Sequence, residues 1–205
     1  MKRSIITALL ISLFPIIALS QTVYDSLITS LNTEAIQGKV TTHYTPGNNK
    51  IATDLQRTIT DAAKFYEKTF FVEFKTKLAV LDSAQWPSEW IPYGFVFYDE
   101  GWIFMNTGMN YEKFKNVYGL QDIYTYLDSE LGKENTSNAK MIESFYKVYS
   151  IHELGHYFIS QLSKASSPDK WTNEFIATYF AYTFFKNYDQ QVLKEFELFH
   201  RIHKD

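Results

Sequence analysis

The spacing of apolar and polar positions changes several times along the chain, and each change marks an element. Residues 39–45 (Lys-Val-Thr-Thr-His-Tyr-Thr) are rich in β-branched types and predict a strand, which Pro46-Gly47 turns. From Asn49 to Thr69 the positions Ile51, Leu55, Ile59, Ala62, Ala63 and Tyr66 recur at helical spacing. Residues 70–81 predict a second strand, stopping before Asp82-Ser83. Two aromatic runs, Gly94–Tyr98 and Trp102–Asn106, flank Asp99-Glu100-Gly101 in the pattern of a β-hairpin.

Beyond the hairpin the period is helical. One helix is expected within 111–131 and a second from a cap among Thr136, Ser137 and Asn138 to about Leu162. Ser166-Ser167-Pro168-Asp169 breaks the chain before a third helix over 172–187 and a last, amphipathic one over 189–202. Strand, helix and strands first, with helices afterwards, indicate an α+β fold rather than a doubly wound sheet. There is no internal repeat or linker, so residues 21–205 read as a single domain.

The first twenty residues read as a signal peptide. Lys2 and Arg3 precede an apolar run from Ile5 to Ala18 broken by Thr7, Ser12 and Pro15, and Ala18-Leu19-Ser20 is a small-x-small cleavage site. A retained anchor is the competing reading, but the run is shorter than the ~20 residues a bilayer needs and contains proline. The chain is therefore expected to be exported, secreted or periplasmic, with no membrane span after cleavage. It contains no cysteine, so neither disulfides nor thiolate metal sites are available. Its 17 Phe, 15 Tyr and 4 Trp must supply a packed core instead. A formal charge of −3 without a basic block argues against nucleic acid as a partner. Asn135-Thr136-Ser137 fits an N-glycosylation acceptor, which matters only in a eukaryotic secretory pathway.

The chemistry concentrates in His152-Glu153-Leu154-Gly155-His156. Histidines four apart share one helix face, where both imidazoles can hold one zinc ion, with Glu153 placed to act as general base. The surrounding positions Met141, Phe145, Tyr149, Leu154, Phe158 and Ile159 are apolar, so the helix is expected to lie deep in the fold, where unpartnered histidines would be costly. Gly155 lowers helix propensity by about 1 kcal/mol relative to Ala, which points to something packed closely there, such as the hairpin backbone or the next helix. For a third ligand, no histidine follows at the astacin-like position. Glu174, preceded by Asn173, opens the next helix and can bring a carboxylate to the same ion. Taken alone, Glu174 would read as a carboxylate favoured by the helix dipole.

These segments, His152–His156 and Trp171-Thr172-Asn173-Glu174-Phe175-Ile176-Ala177-Thr178-Tyr179, resemble the gluzincins. The 171–179 segment is most similar to the Trp-x-Asn-Glu-x-x-Ala stretch of the aminopeptidase N-like family and more distantly resembles thermolysin. The resemblance implies a zincin-like domain, a small mixed sheet with an edge hairpin packed on an active-site helix and a glutamate-bearing helix. It also implies one Zn2+ held by His152, His156 and Glu174, Glu153 as base and proton shuttle, and Asn173 positioning the ligands. An edge strand, here Trp102–Asn106 with Trp102, Phe104 and Asn106 named, would pair with an extended peptide or protein substrate. Tyr179, Tyr182, His200 and His203 are candidates to stabilise the oxyanion, although His200 and His203 also fit a solvated face of the last helix.

Three departures sharpen the reading. The Gly-x-Met-Glu-Asn substrate anchor of the aminopeptidases has no counterpart in Phe104-Met105-Asn106-Thr107-Gly108-Met109-Asn110, which favours an endopeptidase. Thr178 stands where thermolysin-like enzymes carry an aspartate. Few residues follow the third helix, so the large C-terminal lobe has no equivalent. A zinc-stabilised binding or structural module without catalysis is the alternative, and the intact Glu153 argues against it.

Overall fold

The computed structural model describes residues 23–93, 95–108, 138–162 and 169–202. The signal segment, the helix expected within 111–131, the Asn135–Ser137 tripeptide, Met109-Asn110, Ser166–Pro168, the His200 side chain and His203 fall outside the described parts. The elements run α1 (Val23–Ser30), β1 (Glu34–Ile36), β2 (Thr41–Tyr44), α2 (Asn49–Phe70) and β3 (Lys77–Leu81). A 3₁₀ turn (Ser88–Tyr93), β4 (Val96–Asp99), β5 (Trp102–Asn106), α3 (Asn138–Leu162), α4 (Lys170–Tyr188) and α5 (Gln190–Ile202) follow. The architecture is mixed α+β, as the sequence order implied. No helix among the described residues is long and apolar enough to cross a membrane.

The strands form one sheet in the order β1-β2-β3-β5-β4. β2, β3 and β5 are parallel neighbours, while β1 and β4 run antiparallel at the two edges. Alternation along the strands sends Leu78, Val80, Ile103 and Met105 into the larger core beneath the helices. Ala79, Leu81, Trp102 and Phe104 go to the opposite face, where Ile28 of α1, Trp86 and Trp90 cover them. A sheet covered on both faces accounts for the unbroken apolar run of β5, every residue of which is buried.

That topology corrects one expectation. Trp102–Asn106 is not the edge of the hairpin: it is hydrogen-bonded to β3 on one side and to β4 on the other. Trp102 and Phe104 moreover lie on the α1 face of the sheet, opposite the face that packs on α3, so they do not border the histidine-bearing helix. Asn106 is also buried, its carbonyl accepting from the Tyr146 hydroxyl at 2.5 Å. Among the described strands, the hairpin strand at the sheet's edge is β4, because β5 takes the place beside β3.

The strand expected over 70–81 begins only at Lys77. α2 persists to Phe70 and is closed by Phe71 in the left-handed region (φ 57), whose N–H donates to the Glu67 carbonyl. The next amides are drawn off the sheet, that of Phe74 to the Glu67 carboxylate at 2.7 Å and that of Lys75 to the Tyr157 hydroxyl at 2.9 Å. α1, β1 and the 3₁₀ turn were not foreseen. They are short pieces whose placement depends on the sheet rather than on their own periodicity.

α3 crosses below β4 and β5 and packs most extensively against antiparallel α4. Gly155 marks the closest point. A Cβ there would lie 2.9 Å from the Ala177 Cα and 3.3 Å from its Cβ and carbonyl oxygen, so the close neighbour inferred from the sequence is the next helix. Beside this contact Phe180 lies flat on Tyr66 of α2, whose hydroxyl donates to the Phe180 carbonyl, and Phe158 of α3 tilts against both. Gly155→Ala is expected to force α3 and α4 apart, lowering stability by about 1–3 kcal/mol and weakening metal binding together. Thermal unfolding in chelator and a metal-competition titration check the two effects separately.

Candidate metal centre

The half of α3 that carries the motif is held from three sides, by the sheet, by α4 and by α5. His152 and Glu153 are buried, and His156, one turn on, is half-buried. α4 is started by Asp169, which accepts from the Trp171 amide at 3.1 Å and the Thr172 hydroxyl at 2.7 Å. That cap places Glu174 in the second turn, facing the histidine pair.

The three ligand atoms converge. His152 Nε2 and His156 Nε2 are 3.1 Å apart, and Glu174 Oε2 lies 3.2 Å from the first and 3.6 Å from the second. These three residues form a group that could hold a metal ion. The fit can be tested from the separations. A circle through the three atoms has a radius of about 1.9 Å, just inside the ~2.0–2.1 Å bonds of imidazole- and carboxylate-bound transition metals. The three donors would therefore accommodate an ion with bonds of that length. Two imidazoles and one carboxylate suit a first-row divalent ion rather than calcium or magnesium.

Electrostatics support ligation. Burial holds the His156 imidazole below its usual range, against the pull of the Glu174 carboxylate, so the ring stays neutral with a lone pair to offer. Thr178, one turn after Glu174, places Oγ1 3.3 Å from His152 Nδ1. If Nε2 is kept for a metal, Nδ1 carries the proton and donates to that hydroxyl. The position where an aspartate was missing is thus filled by a neutral partner.

Glu153 points the other way round α3, toward β4. Burial, reinforced by the Glu174 carboxylate, pushes its carboxyl up to about 8, with the Tyr98 backbone amide working in the opposite direction. That amide is available because the Asn106 N–H to Phe95 carbonyl bond, 2.8 Å, sets the ladder phase. Phe95 and Phe97 then bond to β5, whereas Val96 and Tyr98 turn their N–H and C=O groups outward. The Glu153 carboxyl and the outer edge of β4 therefore meet on one side of α3, close enough to Glu174 for its charge to be felt.

A cavity of about 160 Å³ adjoins the group, lined by Val148, Tyr149, His152, Glu174, Thr178, Ala181 and Phe196. A larger one of about 300 Å³ opens between the first turns of α2 and α3 and contains none of the four residues. The smaller is the relevant one because His152 and Glu174, two of the three donors, line it. Of the remaining expected residues, Asn173 is half-buried beside Glu174, Tyr182 packs against the core, and Tyr179 stands on the outer face of α4, 60% exposed. Tyr179 is stacked on Phe175 rather than turned to the donors. Sequence reasoning missed Tyr149 and Phe196 as cavity walls and the amide of Tyr98. The i−3 spacing of Tyr149 from His152 was a legible signal; the other two depend on tertiary pairing.

Compared with protein-family models, curated proteins and solved structures, the chain matches none of them.

The roles of Thr178 and Glu153 can be checked directly. Thr178→Val, which keeps shape and removes the hydroxyl, is expected to weaken metal affinity by about 10-fold, with Thr178→Ser restoring it; chelator-competition titration measures both. In chelated protein, Glu153 ionises with difficulty in the folded state, so its contribution is fully favourable below the ordinary value of 4.5. It is progressively lost as pH rises toward about 8. Glu153→Gln should remove that decline and raise the melting temperature of the chelated protein at pH 8, read by calorimetry across the interval.

Proposed function

We propose that this chain is an exported zinc-dependent peptidase of the gluzincin type, with His152, His156 and Glu174 as ligands and Glu153 as general base. The observation that carries the reading is the convergence of three donor atoms, one from a separate helix, onto a single bonding sphere. Beside them lies a buried carboxylate that none of the three ligand positions uses. Zinc, when bound, supplies Lewis acidity toward a carbonyl and makes water a stronger acid.

The protein's own groups do the rest. Glu153 takes the proton from the attacking water and returns it to the leaving amine, and its burial keeps competing solvent away. Among the described residues, the Val96 N–H and the Val96 and Tyr98 carbonyls on the outer edge of β4 offer an extended peptide a backbone to pair with, the Tyr98 amide being taken by Glu153, so the substrate strand lies along Val96–Asp99 rather than along Trp102–Asn106. The cavity beside His152 receives a side chain flanking the scissile bond. About 150 Å³ accommodates a benzene-sized group, so Leu to Phe are the natural occupants. Phe196 of α5 closes the pocket on one side. An extended backbone on a strand edge suits an endopeptidase.

Digestion of a peptide library by zinc-loaded protein should yield chelator-sensitive cleavage with apolar preference at one position. Glu153→Gln is expected to lower turnover by at least ~10³-fold while zinc content by elemental analysis stays near one per chain. Retained turnover in that variant would sink the mechanism. Zinc binding by the wild type without any cleavage would favour a binding module, and zinc content unchanged in His152→Ala or Glu174→Ala would refute the ligand set.

A further inference from the structure

Among the described residues two carboxyl groups are buried, Glu153 and Glu195, and the proposed mechanism uses only the first. Glu195 lies on α5 and is 6% exposed. Its partners among the described residues are two neutral groups. The Ser144 hydroxyl of α3, itself buried, donates to Oε2, and the Gln191 side-chain amide, one turn back on α5, donates to Oε1 at 2.9 Å. Burying a carboxyl group is unfavourable unless its oxygens are partnered, and an apolar side chain would fill the same space without that cost. Val192, Leu193 and Leu198 of the same helix do so. What the polar pair adds is direction: apolar side chains repack with little penalty, whereas a hydroxyl–carboxyl bond holds at one separation and angle.

The place of the pair gives that direction a use. A single residue, Asp189, joins α4 to α5. Its N–H donates to the Phe185 carbonyl at 3.0 Å, and its carboxylate accepts from the Gln191 and Val192 amides at 3.0 and 3.2 Å. A helix fixed only at that joint is free to swing about it. The Ser144–Glu195 bond fastens α5 to α3 about two turns further on. Beside each member stands a wall of the cavity next to His152: Val148, one turn after Ser144, and Phe196, the residue after Glu195.

We infer that Glu195 is a positioning residue: its bond to Ser144 holds α5 against α3, keeps Phe196 closed on the cavity and so sets the largest side chain the site accepts. The role in substrate choice rests on the proposed peptidase activity; the hold on α5 does not.

Because the chain has no cysteine, nitroxide labels can be placed at Glu143→Cys on α3 and Glu197→Cys on α5, both exposed. Pulsed EPR on the zinc-loaded protein measures their separation. A peptide series differing only at the apolar position (Ala, Leu, Phe, Trp) measures substrate choice. With Glu195 intact, one narrow distance and discrimination against Trp are expected. Glu195→Leu should lengthen and broaden the distance and lower the Phe-over-Trp ratio of kcat/KM by about 10-fold. Its zinc content should hold and its melting temperature should stay level or rise, because an apolar side chain replaces a buried polar one. Ser144→Ala, a smaller change, should move both readouts the same way and add nothing to Glu195→Leu when the two are combined. An unchanged distance in both variants overturns the inference, as does a changed distance with an unchanged Phe-over-Trp ratio. If the wild type cleaves nothing, the peptidase reading falls and the role in substrate choice with it, while the distances still decide whether Glu195 holds α5.

Discussion

The approach of α3 to α4 at Gly155 and Ala177 is the contact on which the rest of the site depends. Two histidines on one helix can meet at an ion whatever surrounds them, since their spacing is set by the α-helix itself. The third donor comes from another helix, and its reach is set by packing. The donor triangle tolerates a few tenths of an ångström before its circle outgrows the bonds that must fill it. A methyl group at 155 would exceed that tolerance, because the obstacle is the Ala177 backbone rather than a flexible side-chain end. The Tyr66–Phe158–Phe180 stack, tied by the Tyr66 hydroxyl, presses from the far side and keeps α4 from sliding along α3.

Holding helices this close without disulfides requires a large packed interior, and the aromatic content supplies it on both faces of the sheet. Ile103 and Met105 meet α3 while Trp102 and Phe104 meet α1 and the Trp86–Trp90 pair, so β5 is fixed from above and below. That rigidity carries across one ladder to β4, whose outer edge faces Glu153. The buried carboxylate is the counterpart of that support. It costs folding energy when ionised, and the surrounding core must offset it.

How much was legible in the sequence follows from which contacts are local. The span of α2, the hairpin and the ends of the last two helices depend on periodicity and caps, and residues 49–70, 96–106, 170–188 and 190–202 accordingly lie where the pattern puts them. The histidine pair was legible for the same reason. Glu174 was legible because a short break between two helices makes them antiparallel neighbours. The edge strand was not: a hairpin has two strands, and which of them joins β3 is decided by a non-local pairing that neither strand encodes. The 71–76 segment reads as strand by composition, yet Glu67 and Tyr157 take its amides, and those partners are distant or out of register. Thr178 reads as a gap in the sequence only so long as a carboxylate is expected at that position.

Thr178 also changes the charge balance of the centre. A divalent ion with two neutral imidazoles and one carboxylate carries one net positive charge. An ionised Glu153 carboxylate nearby would cancel it, leaving such a set neutral as a whole. An aspartate at 178 would strengthen the hydrogen bond to His152 but add a second uncompensated negative charge, opposing ionisation of Glu153 in the same low-dielectric volume. A hydroxyl orients the imidazole without that charge. With a divalent ion bound, the threonine would give up some ligand basicity and leave Glu153 better able to stay ionised, the form that the proposed proton acceptor needs.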